Sequence, residues 1–166
     1  DTPEALNLSD RSWRIYCRNA ARPPHYIADG AVVEQSVFTD GDEIYGEVYH
    51  SVIATSVLVE EGAVVRDSIL MPGAVVRKGA RLERVIVGMD SVIGENCKMG
   101  PGQESGDSSY KSKLCSNGIS VVEGGLEVRA GLVLGGNSVL SLPEDGHDTP
   151  DLKILNVLNW EGGSRC

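Results

Sequence analysis

A chain of 166 residues with 41% hydrophobic but only 5% aromatic side chains has material for one sizeable core, and that core must be made of Val, Ile and Leu. Its net charge of −9 excludes a general basic field for nucleic acid or an anionic membrane, so any anion site has to be local. Four cysteines, Cys17, Cys97, Cys115 and Cys166, form no CxxC pair. With no apolar run of membrane-spanning length, they argue against a zinc knuckle or disulfide framework and for a cytoplasmic setting.

Residues 1–26 read as a linker and capping segment. Within it Trp13, Ile15 and Cys17 alternate with Arg14, Tyr16 and Arg18, a period of two that predicts a strand with one apolar face. Pro23 and Pro24 then stop any regular element.

From residue 27 to 142 a six-residue beat takes over. It opens with IADGAV at Ile27 and VEQSVF at Val33, then runs IATSVL, VEEGAV, VRDSIL from Ile53. After a one-residue slip near MPGAV come VRKGAR and LERVIV; Val87 is shared at a second slip, followed by VGMDSV and IGENCK. A polar stretch at 100–118 interrupts the beat and predicts a loop thrown out from a corner. VEGGLE, VRAGLV and LGGNSV resume it from Val122. Residues 143–166 read as a capping segment, helix face or strand, or as a disordered tail.

Six residues can make a short strand and a corner, with an aliphatic residue and a small partner four places later pointing inward while Gly, Asn or Asp takes the turn. Three such faces close one coil, and stacked coils bury a continuous core that no single coil could bury alone. The fold class predicted is therefore all-β, a parallel β-helix of hexapeptide repeats. Val59, Val65, Val76 and Leu82 point inward in this frame. A β-sandwich fits less well, since its strands recur at about 8 to 12 residues.

The stretches DRSWRIYCRN at 10–19, PPHYI at 23–27, GEVYHSVI at 46–53 and EEGAVVRDSILMPGAVV at 60–76 resemble the C-terminal half of bacterial glucose-1-phosphate adenylyltransferases (ADP-glucose pyrophosphorylases), more the catalytic-type subunit than its non-catalytic companion. The resemblance implies a left hand for the helix. It also implies a role in glycogen biosynthesis, in an enzyme that converts ATP and glucose 1-phosphate to ADP-glucose and pyrophosphate. ATP and Mg would belong to an N-terminal nucleotidyltransferase domain, which would be a partner of this segment. No catalytic residue and no cofactor is expected here. The family further implies assembly into homo- or hetero-oligomers and allosteric control, with Arg14, Arg18, Lys78, Arg81 and Arg84 as effector-binding candidates, because guanidinium groups suit bidentate phosphate contacts. Lys78, Arg81 and Arg84 are expected on consecutive coil faces; the plainer reading of all five is solvated surface charge.

Two rival chemistries use the same repeat. A hexapeptide acyltransferase binding acyl-CoA needs a histidine base, and among His25, His50 and His147 only His50 falls within the repeats, where an exposed corner is expected. A β-helix carbonic anhydrase needs three histidines on one zinc, and these three have no ligand-pair spacing. No metal site is predicted.

Overall fold

Short strands separated by tight corners follow from the placement of aliphatic residues at every fifth or sixth position, because neighbouring side chains on a strand point to opposite sides. The computed structural model describes residues 21–103, 115–141 and 151–154. Among these there are strands and no helix.

The strands, numbered in chain order, form three sheets that are the faces of a prism. Face A stacks β1 (Tyr26–Ile27), β3 (Glu43–Ile44), β6 (Leu58–Val59), β9 (Val75–Val76), β12 (Val92–Ile93) and β15 (Leu126–Val128). Face B stacks β2 (Val32–Glu34), β4 (Glu47–Tyr49), β7 (Val64–Arg66), β10 (Arg81–Glu83), β13 (Lys98–Gly100) and β16 (Val133–Gly135). Face C stacks β5 (Val52–Ile53), β8 (Ile69–Leu70), β11 (Val85–Val87), β14 (Ser120–Val122) and β17 (Val139–Leu140). All these pairings are parallel, and each strand pairs with the strand one coil away. The chain is thus a β-helix of hexapeptide repeats, as its period predicts.

Val59, Val65 and Val76 are fully buried and Leu82 is 2% exposed, so the inward frame holds. Ala63, Ala74, Ala80 and Cys97, each four places after an inward aliphatic, are buried beside them. Each aliphatic side chain so removed from water contributes about 1.5–3 kcal/mol, and stacking makes the ladders one core.

A regular coil spans 17 residues, as the separation of hydrogen-bonded equivalents Ser51 and Ser68 shows. Two corners use a six-residue step and the corner from B to C uses five, from Val65 to Leu70 and from Leu82 to Val87. This places the first slip one corner earlier than MPGAV: Leu70 is buried and shared between two repeats, while Met71 is 36% exposed. Three of the four turn residues at this corner, Gln35, His50 and Arg84, depart from the Gly, Asn or Asp expected, and Asp67 matches it. Gln35, His50, Asp67 and Arg84 adopt φ of 45°, 45°, 47° and 54°, an uncommon backbone for His or Arg, held here by the stack above and below.

A serine ladder explains how the short corner satisfies its backbone. Ser51 N–H donates to Ser36 Oγ, Ser68 N–H to Ser51 Oγ and Val85 N–H to Ser68 Oγ, each at 3.1 Å. Ser51 and Ser68 hydroxyls in turn donate to the carbonyls of Tyr49 and Arg66. Both serines are buried, and these bonds give the interior amides the partners that burial requires.

The polar segment at 100–118 leaves after β13, and its described ends bracket an uninterrupted stack, since Met99 still pairs with Leu134 and Val87 with Val122. Past the repeats, β18 (Leu152–Ile154) pairs antiparallel on β15 and covers the last edge of face A, which would otherwise present unpaired backbone groups. The expected strand around Trp13, Ile15 and Cys17 lies outside the described residues.

Candidate functional site

Lys78, Arg81 and Arg84 belong to one coil, and the repeat geometry sets them around a single face, not on consecutive ones. Lys78 is on the corner entering face B, Arg81 is the first residue of β10, and Arg84 is on the corner leaving it. Arg14 and Arg18 lie outside the described residues.

The three differ in what already holds them. Lys78 Nζ is 3.4 Å from Glu61 Oε2, both side chains well exposed, an arrangement worth little in water. Arg84 Nη1 donates to the Asn117 carbonyl at 3.0 Å, which ties the corner to the described end of the polar segment. Arg81 is exposed and, among the described residues, has no ion-pair partner. Its register partner on the next coil is Lys98, likewise exposed, so two cationic residues rise side by side from strands about 4.8 Å apart. Lys98 was missed in the sequence because motif reading groups residues by six, whereas neighbours in this fold are 17 apart. With that offset Lys98 would have been legible.

A cleft of about 530 Å³ lies on face A and is lined by Glu60, Arg77, Gly94, Arg129, Asp151 and Lys153 among others. Here again the 17-residue offset relates Glu60 to Arg77. Arg77 Nη1 sits 2.7 Å from Glu60 Oε1, and Arg129 Nη2 sits 2.6 Å from Asp151 Oδ1. Both guanidinium groups are thus spent on carboxylates, and the lining also holds Glu95 and Glu127. An anion entering this cleft would meet four carboxylates, Glu60, Glu95, Glu127 and Asp151, against three cations, Arg77, Arg129 and Lys153. The Arg81–Lys98 pair therefore presents the less compensated positive charge.

No nucleophile or metal constellation emerges among the described residues. His50 is an exposed corner residue, its Nε2 in contact with Gln35 Oε1 and its Nδ1 3.8 Å from Asp67 Oδ1. His25 lies beside Phe38, and His147 is outside the described residues. No group of three or more His, Cys, Asp or Glu is placed to hold a metal ion among those described. Cys97 is buried, its thiol donating to the Arg129 carbonyl at 3.2 Å; burial pushes its pKa up, the opposite of what a reactive thiolate needs. Asp42, fully buried, has its carboxyl pKa raised by burial, opposed by the backbone N–H groups of Val57 and Thr39 that donate to it. It caps a corner.

A prism of stacked aliphatic coils, with Asp42 the one buried acid among the described residues, defines a hexapeptide-repeat β-helix domain. The chain belongs to the family described as GlmU-like, C-terminal hexapeptide, whose model matches residues 24–122. It is 52% identical over 89 residues to the glucose-1-phosphate adenylyltransferases of Bacillus mycoides (strain KBAB4), Bacillus cereus (strain ATCC 10987 / NRS 248) and Bacillus anthracis. That match covers 54% of this chain and 24% of each relative, so the chain spans about a quarter of the length of these curated relatives. The resemblance read from DRSWRIYCRN and EEGAVVRDSILMPGAVV is thereby supported. No helix among the described residues is long and apolar enough to cross a membrane.

Proposed function

We propose that this chain is the regulatory and oligomerisation part of a cytoplasmic glucose-1-phosphate adenylyltransferase. In that reading an N-terminal nucleotidyltransferase domain carries ATP, Mg and the chemistry, and the β-helix supplies contacts. The observation that carries it is the 52% identity to enzymes of that name over 89 residues. An anionic effector would be drawn to Arg81 and its neighbour Lys98, with Lys78 and Arg84 at the margins and Arg14 and Arg18 as further candidates. Two cations with no ion-pair partner among the described residues give local attraction within an acidic chain. Regulation then requires that the effector bind one arrangement of the two domains more tightly than another, since equal affinity shifts no equilibrium.

Two preparations test this. The 166-residue chain alone forms no ADP-glucose from ATP and glucose 1-phosphate, because the reacting groups must be positioned by the other domain; turnover by this chain, freed of host enzyme, overturns the assignment. In the enzyme that contains this segment, Arg81→Ala with Lys98→Ala weakens effector activation and leaves unstimulated turnover near normal. Unchanged activation rejects the regulatory role of this pair. Binding of acetyl-CoA to the isolated chain, lost in His50→Ala, would favour the acyltransferase reading instead.

A further inference from the structure

The two ends of the prism are finished differently. At the C-terminal end the inward residues of the last coil, Val128, Leu134 and Leu140, are at most 1% exposed. Leu152 of β18 pairs with Val128 one level beyond that coil and joins the buried core. At the N-terminal end the first coil has no such cover among the described residues. Ile27 is the register equivalent of Ile44, Val59, Val76, Ile93 and Val128, yet it is 42% exposed where they are at most 1%. Val33 and Phe38, the inward residues of the other two faces, are only partly buried, whereas Val48 and Ile53 one coil further in are fully buried. The core is therefore open at this end, where three large apolar side chains forgo the burial that later coils obtain.

We propose that residues 13–17 of this same chain dock across the open end as a capping strand, with Trp13, Ile15 and Cys17 turned onto Ile27, Val33 and Phe38. The inference stands independently of the enzymatic reading above. Reach favours this segment over a second copy or another protein. A Cβ on Gly41 would lie 3.2 Å from both Arg22 Cβ and Ser56 Oγ, so the chain enters along the corner between faces C and A, at the rim of the open end. Cys17 precedes Arg22 by five residues, which confines it to within about 17 Å of that corner. A tether this short supplies a local concentration on the order of millimolar. Size fits as well: one side of a coil is five or six residues, about 17–20 Å, and a five-residue strand is about 17 Å long. Charge acts in the same direction. The first coil, residues 26–40, carries Asp29, Glu34 and Asp40 and no Lys or Arg, whereas residues 11–18 carry Arg11, Arg14 and Arg18 and no acid. A second copy, with its net charge of −9, would be repelled. The period of two turns Arg14, Tyr16 and Arg18 to the outer side of this strand, and the cap gives the repeat stack the terminal cover that solenoids require.

Fluorescence of the full 166-residue chain tests the assignment. Trp13 and Trp160 are its two tryptophans, so Trp160→Phe leaves Trp13 as the sole reporter. In that background Trp13 is expected to emit at shorter wavelength, and to be quenched less by acrylamide, than in the same chain unfolded in urea, at every protein concentration. Ile27→Asp sets a carboxylate beneath the cap and should shift the docking equilibrium toward release by about tenfold or more, raising quenching toward the unfolded value. Ile27 is already 42% exposed on the described prism, so the strand signal in circular dichroism should persist; if it does not, Ile27→Ala replaces the variant and should raise quenching in the same direction. A Trp13 quenched as freely in the folded chain as in urea overturns the proposal. Shielding that the Ile27 variants leave unchanged also overturns it, because Trp13 then packs elsewhere. Shielding that fades on dilution overturns it too, since the cover is then a second copy.

Discussion

Substituting Ser68 by Ala isolates the contribution of the serine ladder. In the folded protein Ser68 Oγ donates to the Arg66 carbonyl at 2.6 Å and accepts the Val85 N–H at 3.1 Å. The Arg66 carbonyl keeps a partner when the hydroxyl is lost, since Arg84 N–H also donates to it at 3.1 Å. Val85 N–H does not, and it belongs to a fully buried residue. One orphaned buried amide costs about 1–3 kcal/mol. For a chain of this length each kcal/mol lowers the melting temperature by about 2–4 °C, so a drop of about 2–12 °C is expected, with the urea m-value unchanged because the surface exposed on unfolding is the same. Ser51→Ala should match it, orphaning Ser68 N–H in the same way. Ser36→Ala is the internal control: it removes the acceptor of Ser51 N–H, but Ser36 lies on the first coil and is partly exposed, where water can substitute. Urea unfolding followed by circular dichroism measures all three. If Ser68→Ala falls within about 0.5 kcal/mol of wild type, the range of ordinary surface changes, or costs no more than Ser36→Ala, the ladder is not what satisfies this corner.

Other perturbations test other parts of the structure. Val76→Asp puts an unpaired carboxylate at a fully buried position and should cost about 4 kcal/mol or more; a wild-type melting curve would contradict the inward frame. A Cβ on Gly94 would come within 2.5 Å of the Val128 carbonyl oxygen and 2.6 Å of Ala130 N, so Gly94→Ala should destabilise by about 1–3 kcal/mol through forced separation of adjacent coils, read by the same unfolding assay. Asp42 supplies a pH signature. Its folded-state pKa is raised above 3.8 by burial, so the folded chain holds that proton more tightly than the unfolded one. The stability it contributes is present below 3.8 and is lost as pH rises through the folded-state value. Relative to Asp42→Asn, the wild type should therefore lose stability on going from acid to neutral pH, and a pH-independent difference would refute the burial argument.

The fold was legible because a period of about six is a property of the chain and needs no knowledge of contacts: aliphatic residues at that spacing, each with a small residue four places on, leave few ways to bury both. Val59, Val65, Val76 and Leu82 were identifiable on that ground alone, and the stretch EEGAVVRDSILMPGAVV carried the family resemblance with it. What the period could not supply was the coil. Whether three steps sum to 18 residues or 17 depends on one corner whose short step is made possible by buried serine hydroxyls and left-handed residues as unexpected as His50 and Arg84, an arrangement that exists only once neighbouring coils are stacked. The neighbours of every outward side chain depend on that single residue. Lys98 beside Arg81 and Glu60 against Arg77 are therefore decided by tertiary structure: a change of one residue per coil would turn each column to different partners, and only the hydrogen-bonded register determines which side chains meet.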